Sequence, residues 1–177
     1  MVISVEEIQH PHPRIVHVWA MKAFLVPLLL WLVVAIPLSA FYFATTPPED
    51  PFGIRATALI AGVAVLLLAI GYGWAFLYRS FYRWQLTESD LRVWRGILFR
   101  KRITIPYMRV QNVNVVRGPL LLLFGLSSVE VETAGQKGMY YGGFYPTEGF
   151  LPGLVDGDAV ADGIVEKVKG AKAREGL

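Results

Sequence analysis

Three groups of side chains in this sequence have types and spacings that suggest chemistry. Arg100-Lys101-Arg102 puts three cations in a row, inside residues 79–117, which hold nine basic and two acidic residues, a balance of +7. A cluster of that kind attracts phosphates, whether on a lipid leaflet or on nucleic acid. Glu130 and Glu132 are two apart, so on a strand they share a face, as a carboxylate pair for acid–base work would. His10, His12 and His17, in "HPHPRIVHVW", are imidazoles of the kind that ligate metals.

Two of the three lose support from their surroundings. Outward carboxylates on a strand are ordinarily solvated, and no histidine or metal motif accompanies the glutamates. Two prolines make the histidine segment extended, and no carboxylate or cysteine completes a metal site, so lining of the membrane interface is the preferred reading. Gly135 and Gly142-Gly143 are scattered and form no phosphate loop. The chain has no cysteine, which excludes disulfides and thiolate chemistry. The sequence therefore assigns no catalytic residue, no cofactor and no metal, and the expectation is a non-enzyme. What survives is a candidate anionic-surface set: Arg79, Arg83, Arg92, Arg100, Lys101 and Arg102. Non-specific attraction to anionic headgroups is preferred over selection of one headgroup, and a topology signal on an ordinary solvated strand face explains the same charges. Nucleic acid is set aside, because no recognition motif accompanies the basic residues.

The elements that position this set begin with the membrane. Apolar residues make up 54% of the 177, and charged residues only 18%, which is too apolar for an ordinary soluble domain. Residues 23–44 and 56–78 carry no charge. About 20 residues of helix cross the hydrocarbon core, so both runs suffice. Between them, "TTPPEDPFGIR" favours a tight polar turn, giving a transmembrane helical hairpin at 23–78. A pair of buried core helices is the alternative. A cleavable leader ending near Leu38-Ser39-Ala40 is disfavoured by the length of the apolar run. Arg14 and Lys22 precede the first run; Arg79 and Arg83 follow the second; the loop sets Arg55 against Glu49 and Asp50. Basic residues concentrate on the cytoplasmic side, so both termini, including residues 1–22, are expected there, at the cytoplasmic membrane. Ala58, Gly62, Ala69 and Gly73 form a small-residue stripe for helix packing, preferably against the first span rather than a second copy. Pro27 and Pro37 suggest a kink. Neither span holds an ionisable side chain, which argues against a transporter.

Residues 79–177 have the texture of a separate domain. Short alternating segments are divided by turns: "YRWQLT", "LRVWR", "ILFRKRITI", "RVQNVNVVR" and "SSVEVET". In the third, Ile97, Phe99, Ile103 and Ile105 are expected on one face, with Arg100, Arg102 and Thr104 on the other. Val113, Val115, Val129 and Val131 alternate with Asn112, Asn114, Glu130 and Glu132. In "DGDAVADGIVEKVK", Val160, Ile164, Val165 and Val168 are spaced for one helical face, capped by Asp156 or Asp158. The class is thus α+β: antiparallel strands in a sandwich or barrel, closed by one helix. Leu120, Leu121, Leu122, Leu123 and Phe124 lie between Gly118-Pro119 and Gly125. The run is far too short for a third span. Pro119 suits the start of a short helix and Gly125 its end. A core plug is preferred, with membrane footing the alternative.

Five motifs occur in order: Y-x-W-x-L-T at 82–87, G-I-L-x-R at 96–100, I-P-Y-x-R-V-Q-N-V at 105–113, R-G-P-L-x-x-x-x-G-L at 117–126 and V-x-V-E-T-A-G at 129–135. Over residues 81–135 the chain resembles the bacterial pleckstrin-homology-like (PH-like) family typified by YdbS-like membrane proteins. The resemblance implies two spans ahead of a seven-stranded, strongly bent β-sandwich or partial barrel with a C-terminal helix. It implies no enzymatic activity. The chain departs from the family pattern in its wholly apolar 120–124 run and in the long aromatic stretch 136–152. The expected function is a non-enzymatic, membrane-anchored PH-like binding or scaffold module. Its expected partners are the lipid bilayer with its anionic headgroups and a sibling PH-like membrane protein. The rival is a regulatory subunit of a transporter or membrane enzyme.

Overall fold

The structure is a computed structural model that describes residues 7–45, 51–133 and 149–175. It divides into two compact units, residues 16–76 and residues 1–15 with 77–177.

Two long helices dominate the first unit, α1 (Ile15–Thr45) and α2 (Pro51–Phe81), both of which run on at one end into residues of the other unit. Each has 31 residues and exceeds its charge-free run. The expected polar turn is shorter than "TTPPEDPFGIR" suggests, because α2 starts at Pro51. Proline is compatible with the first helical position, where its missing N–H would have no partner anyway. Among the described residues one stretch, Ala61–Phe81, is apolar and long enough to cross a membrane. The helices meet through Val16, Ala20 and Ala75, with Trp19 against them. His17 stands edge-on to Tyr72, ring centroids 5.9 Å apart.

In the other unit, β1 (Arg83–Leu86), β2 (Asp90–Arg95) and β3 (Lys101–Pro106) make one antiparallel sheet. A 3-10 turn at Tyr107–Arg109 leads to β4 (Val110–Val116), which pairs with β5 (Ser127–Thr133), and β5 with β6 (Gly149–Leu154), in a second antiparallel sheet. A short helix, α3 (Pro119–Leu123), joins β4 to β5, and α4 (Gly157–Glu175) closes the domain. The described residues hold six of the seven strands implied by the resemblance; residues 136–148 of the long aromatic stretch lie outside them.

The period-two pattern builds the core. Leu91, Val93, Ile103 and Ile105 are buried on one sheet, and Val129, Val131 and Leu151 on the other. Ile105 and Val131 both close on the backbone of Gly149. From α4, Val160, Ile164 and Val168 are buried. Asp156 caps this helix, its Oδ1 accepting from the N–H of Ala159 at 3.0 Å. Each fully buried Val, Leu or Ile contributes about 1.5–3 kcal/mol relative to exposure, so these faces hold the sheets together.

The amino-terminal segment is part of this unit. Gln9 bridges Trp84 through both backbone N–H groups, and the N–H of His12 donates to Gly153 O at 2.9 Å. Ile15 is 1% exposed. Gly153 has φ +68°, and a Cβ there would stand 2.8 Å from Ile15 Cβ, so a side chain is excluded both by conformation and by space.

One expected strand is shorter than its sequence pattern. Ile97, Leu98 and Phe99 lie outside β3, and Phe99 does not join Ile103 and Ile105 on the core face. Gly96 turns the chain with φ +102°, and the Phe99 carbonyl folds back onto it, where a Cβ would be 2.0 Å away. Ile97 and Phe99, expected on the face of Ile103 and Ile105, are used instead in a hairpin tip.

Candidate anionic-surface site

The basic cluster forms where β2 returns as β3. Arg95 pairs with Lys101 and Trp94 with Arg102, leaving residues 96–100 as the loop. The turn at Gly96 brings side chains from both strands to one end of the sheet. Arg83, Arg95, Arg100, Lys101 and Arg102 line a groove of about 390 Å³ with Ile8, Phe81 and Trp94. Among the described residues, five cations and no carboxylate line this groove. Like charges held this close repel one another, and an anion in the groove relieves that repulsion.

Aromatic rings hold two of the cations. The Arg100 guanidinium lies 5.0 Å from the centroid of Phe81, and that of Arg102 lies 5.5 Å from Trp94. Such contacts orient a guanidinium while leaving its N–H groups for other partners. Arg95 has a buried Nη1 with no hydrogen-bond partner among the described residues. The same guanidinium also hydrogen-bonds the buried Tyr82 phenol.

Of the six residues named from sequence, the fold gathers four: Arg83, Arg100, Lys101 and Arg102. Arg79 is used structurally, its Nε donating to Pro11 O at 2.8 Å. Arg92 is paired, its Nε 2.7 Å and its Nη2 3.3 Å from the Asp90 carboxylate. Burial works to raise the Asp90 pKa, but hydrogen bonds from Arg92, Thr87 and Ser89 and the Arg92 charge outweigh it, and the carboxyl sits below its ordinary value. Sequence reasoning missed Arg95 as a member of the site. Its signal was available, since Arg95 precedes a turn glycine and faces the basic run across that turn.

The leucine run divides. Leu121 is buried at 7% exposure, while Leu122 and Leu123 are exposed; Leu120 and Phe124 are in between. It is therefore neither wholly core nor wholly surface, because five residues of helix present more than one side. On the small-residue stripe, Gly62, Ala69 and Gly73 are exposed, and nothing among the described residues lies within 4 Å of where a Cβ would stand on Gly62 or Gly73. The side chain of Ala58 lies outside the described residues.

The other sequence candidates have local partners. Glu132 accepts from Asn112 Nδ2 at 3.1 Å and Asn114 Nδ2 at 3.2 Å across the β4–β5 ladder. His12 Nδ1 accepts from the backbone N–H of Arg14. Burial, then the charges of Arg14 and Arg79, lower its pKa. Among the described residues no three of His, Cys, Asp or Glu cluster as metal ligands would. The phenol of Tyr82 is pushed far up by burial and donates to Phe150 O, tying the start of the first sheet to β6.

Residues 20–149, most of the chain, match the bacterial PH domain family. The chain belongs to the bacterial PH domain family. A relative is the UPF0699 transmembrane protein YdbS of Bacillus subtilis (strain 168), 25% identical over 118 residues, which is 66% of this chain and 70% of that protein. No solved structure matches the chain. Membership of the bacterial PH domain family agrees with the resemblance carried by the five motifs, and β1 to β5 lie inside the matched region.

Proposed function

We propose that this protein is a non-enzymatic, membrane-anchored PH-like module whose β2–β3 hairpin docks on an anionic leaflet. Residues 23–44 and 56–78 cross the cytoplasmic membrane as a hairpin, with both termini on the cytoplasmic side. The transmembrane description of the YdbS relative, the apolar stretch Ala61–Phe81 and the basic flanks of both runs support this reading.

One observation carries the docking. Among the described residues, five cations and no carboxylate line the groove, and one of the cations, Arg100, rests on Phe81, the residue that ends the apolar stretch. A basic cluster next to a membrane span meets the surface potential of an anionic leaflet, which attracts each Lys or Arg by about 1 kcal/mol at low salt. Affinity of this kind is non-specific in headgroup and fades as ionic strength rises.

The test uses the full chain in phosphatidylcholine bilayers with a trace of spin-labelled phosphatidylglycerol. The native chain is expected to enrich the anionic label at its boundary over spin-labelled phosphatidylcholine. Arg100→Gln, Lys101→Gln and Arg102→Gln together are expected to erase most of that enrichment. Equal enrichment by native chain and variant would refute the docking.

A further inference from the structure

The hairpin carries a second feature that the charges do not explain. Phe99 is 91% exposed and Leu98 78%, the two most exposed large apolar side chains among the described residues. Most of the others lie on the two long helices. A folded domain normally buries such residues or uses them in contact. These two cannot return to the core without opening the turn, because the Phe99 carbonyl is packed on Gly96.

We propose that Leu98 and Phe99 are a membrane-penetrating wedge, entering the acyl boundary of an anionic leaflet while Arg100, Lys101 and Arg102 hold the phosphates above them. The inference rests on the docking reading and adds depth to it. Three observations favour lipid as the occupant. The apolar pair is followed at once by three cations and preceded by Arg95-Gly96, with no acid in residues 91–102, so its charge complements an anionic surface. Two residues on a five-residue loop make a point, whereas a protein interface needs about 800 Å² per partner. Arg100 stacks on Phe81, the last residue of the apolar stretch Ala61–Phe81. The other exposed apolar pair off the long helices, Leu122 and Leu123, lacks this setting: its nearest cation in sequence, Arg117, is paired with Asp158.

The chain has no cysteine, so single labels can be placed without altering the background. Phe99→Cys, Leu98→Cys and Glu88→Cys, each in the full chain, are spin-labelled in nanodiscs of phosphatidylcholine alone or mixed with phosphatidylglycerol. Collisions with oxygen and with a water-soluble nickel chelate report depth, and hydrogen exchange of residues 83–102 reports docking on the same samples. In the anionic discs the labels at 98 and 99 are expected about 5–10 Å inside the headgroup boundary, the depth of an interfacial apolar face, with the label at 88 in water. Leu98→Cys keeps Phe99, so it guards against an effect of the label itself. Labels at 98 and 99 that stay in water while exchange is slowed by anionic lipid would overturn the wedge and leave docking intact. Water exposure with no slowing would overturn both. Labels shielded from oxygen and nickel alike, in either lipid, would mean a protein contact and would also overturn the wedge.

Discussion

Ile15→Ala tests whether the amino-terminal segment is a structural part of the C-terminal unit. Ile15 is 1% exposed and touches the backbone of Gly153. The substitution removes three carbon groups at about 0.8 kcal/mol each, and with the cavity left behind the expected loss is about 2–5 kcal/mol. Gly153→Ala attacks the same contact from the other side. It places a Cβ at φ +68°, costing about 1–2 kcal/mol in conformation, and crowds Ile15 for about 1–3 kcal/mol more. In the double variant the trimmed Ile15 relieves part of the crowding. Its cost should therefore fall short of the sum by about 1 kcal/mol, a coupling typical of touching residues. Native-state hydrogen exchange in the full chain reads these losses as faster opening of β5 and β6, without assuming one cooperative transition for a membrane protein. Unchanged exchange in Ile15→Ala would refute the packing of this segment, and strict additivity would refute the contact with Gly153.

Three further outcomes are expected. Gly96→Ala brings a Cβ within 2.0 Å of the Phe99 carbonyl, so the tip must open; exchange of the Arg95 and Lys101 amides should rise while the β4–β5 amides keep their protection. Because the Asp90 carboxyl titrates below its ordinary value of about 3.9, its contribution to stability is complete above that pH and is lost as pH falls through the folded value; Asp90→Asn should therefore lower stability near neutrality and flatten the acid limb of a stability–pH curve. A reporter at the carboxyl terminus should read cytoplasmic and a tag within residues 45–53 external, and the reverse pattern would overturn the orientation.

Much of the fold follows from periodicity. Val129 and Val131, Ile103 and Ile105, and the Val160, Ile164, Val168 face of α4 are buried as their spacing predicts. Local patterns fail where two structures share one pattern. Ile97 and Phe99 fall in phase with Ile103 and Ile105, yet the chain turns there on the left-handed backbone of Gly96. "PFGIR" reads as a turn from proline and glycine, yet Pro51 opens a helix because it stands at its first position. The docking of residues 9–15 on β1 and β6 has no periodic signal at all, since it depends on contacts more than 70 residues apart in sequence. For the site, composition exposed the charge but not its partners. Arg79 and Arg92 are spent on Pro11 and Asp90, and Arg95 takes their place.

The central claim is that the basic hairpin docks on anionic lipid. Hydrogen exchange of residues 83–102 in the full chain, compared between neutral and phosphatidylglycerol-containing nanodiscs across a salt series, tests it most directly. Three cations at about 1 kcal/mol each bias docking by up to about a hundredfold at low salt. The account predicts exchange slowed only in the anionic discs, with the slowing lost as salt rises and absent in the Arg100, Lys101, Arg102 to glutamine variant. Exchange that is the same in both lipids at every salt concentration would contradict it.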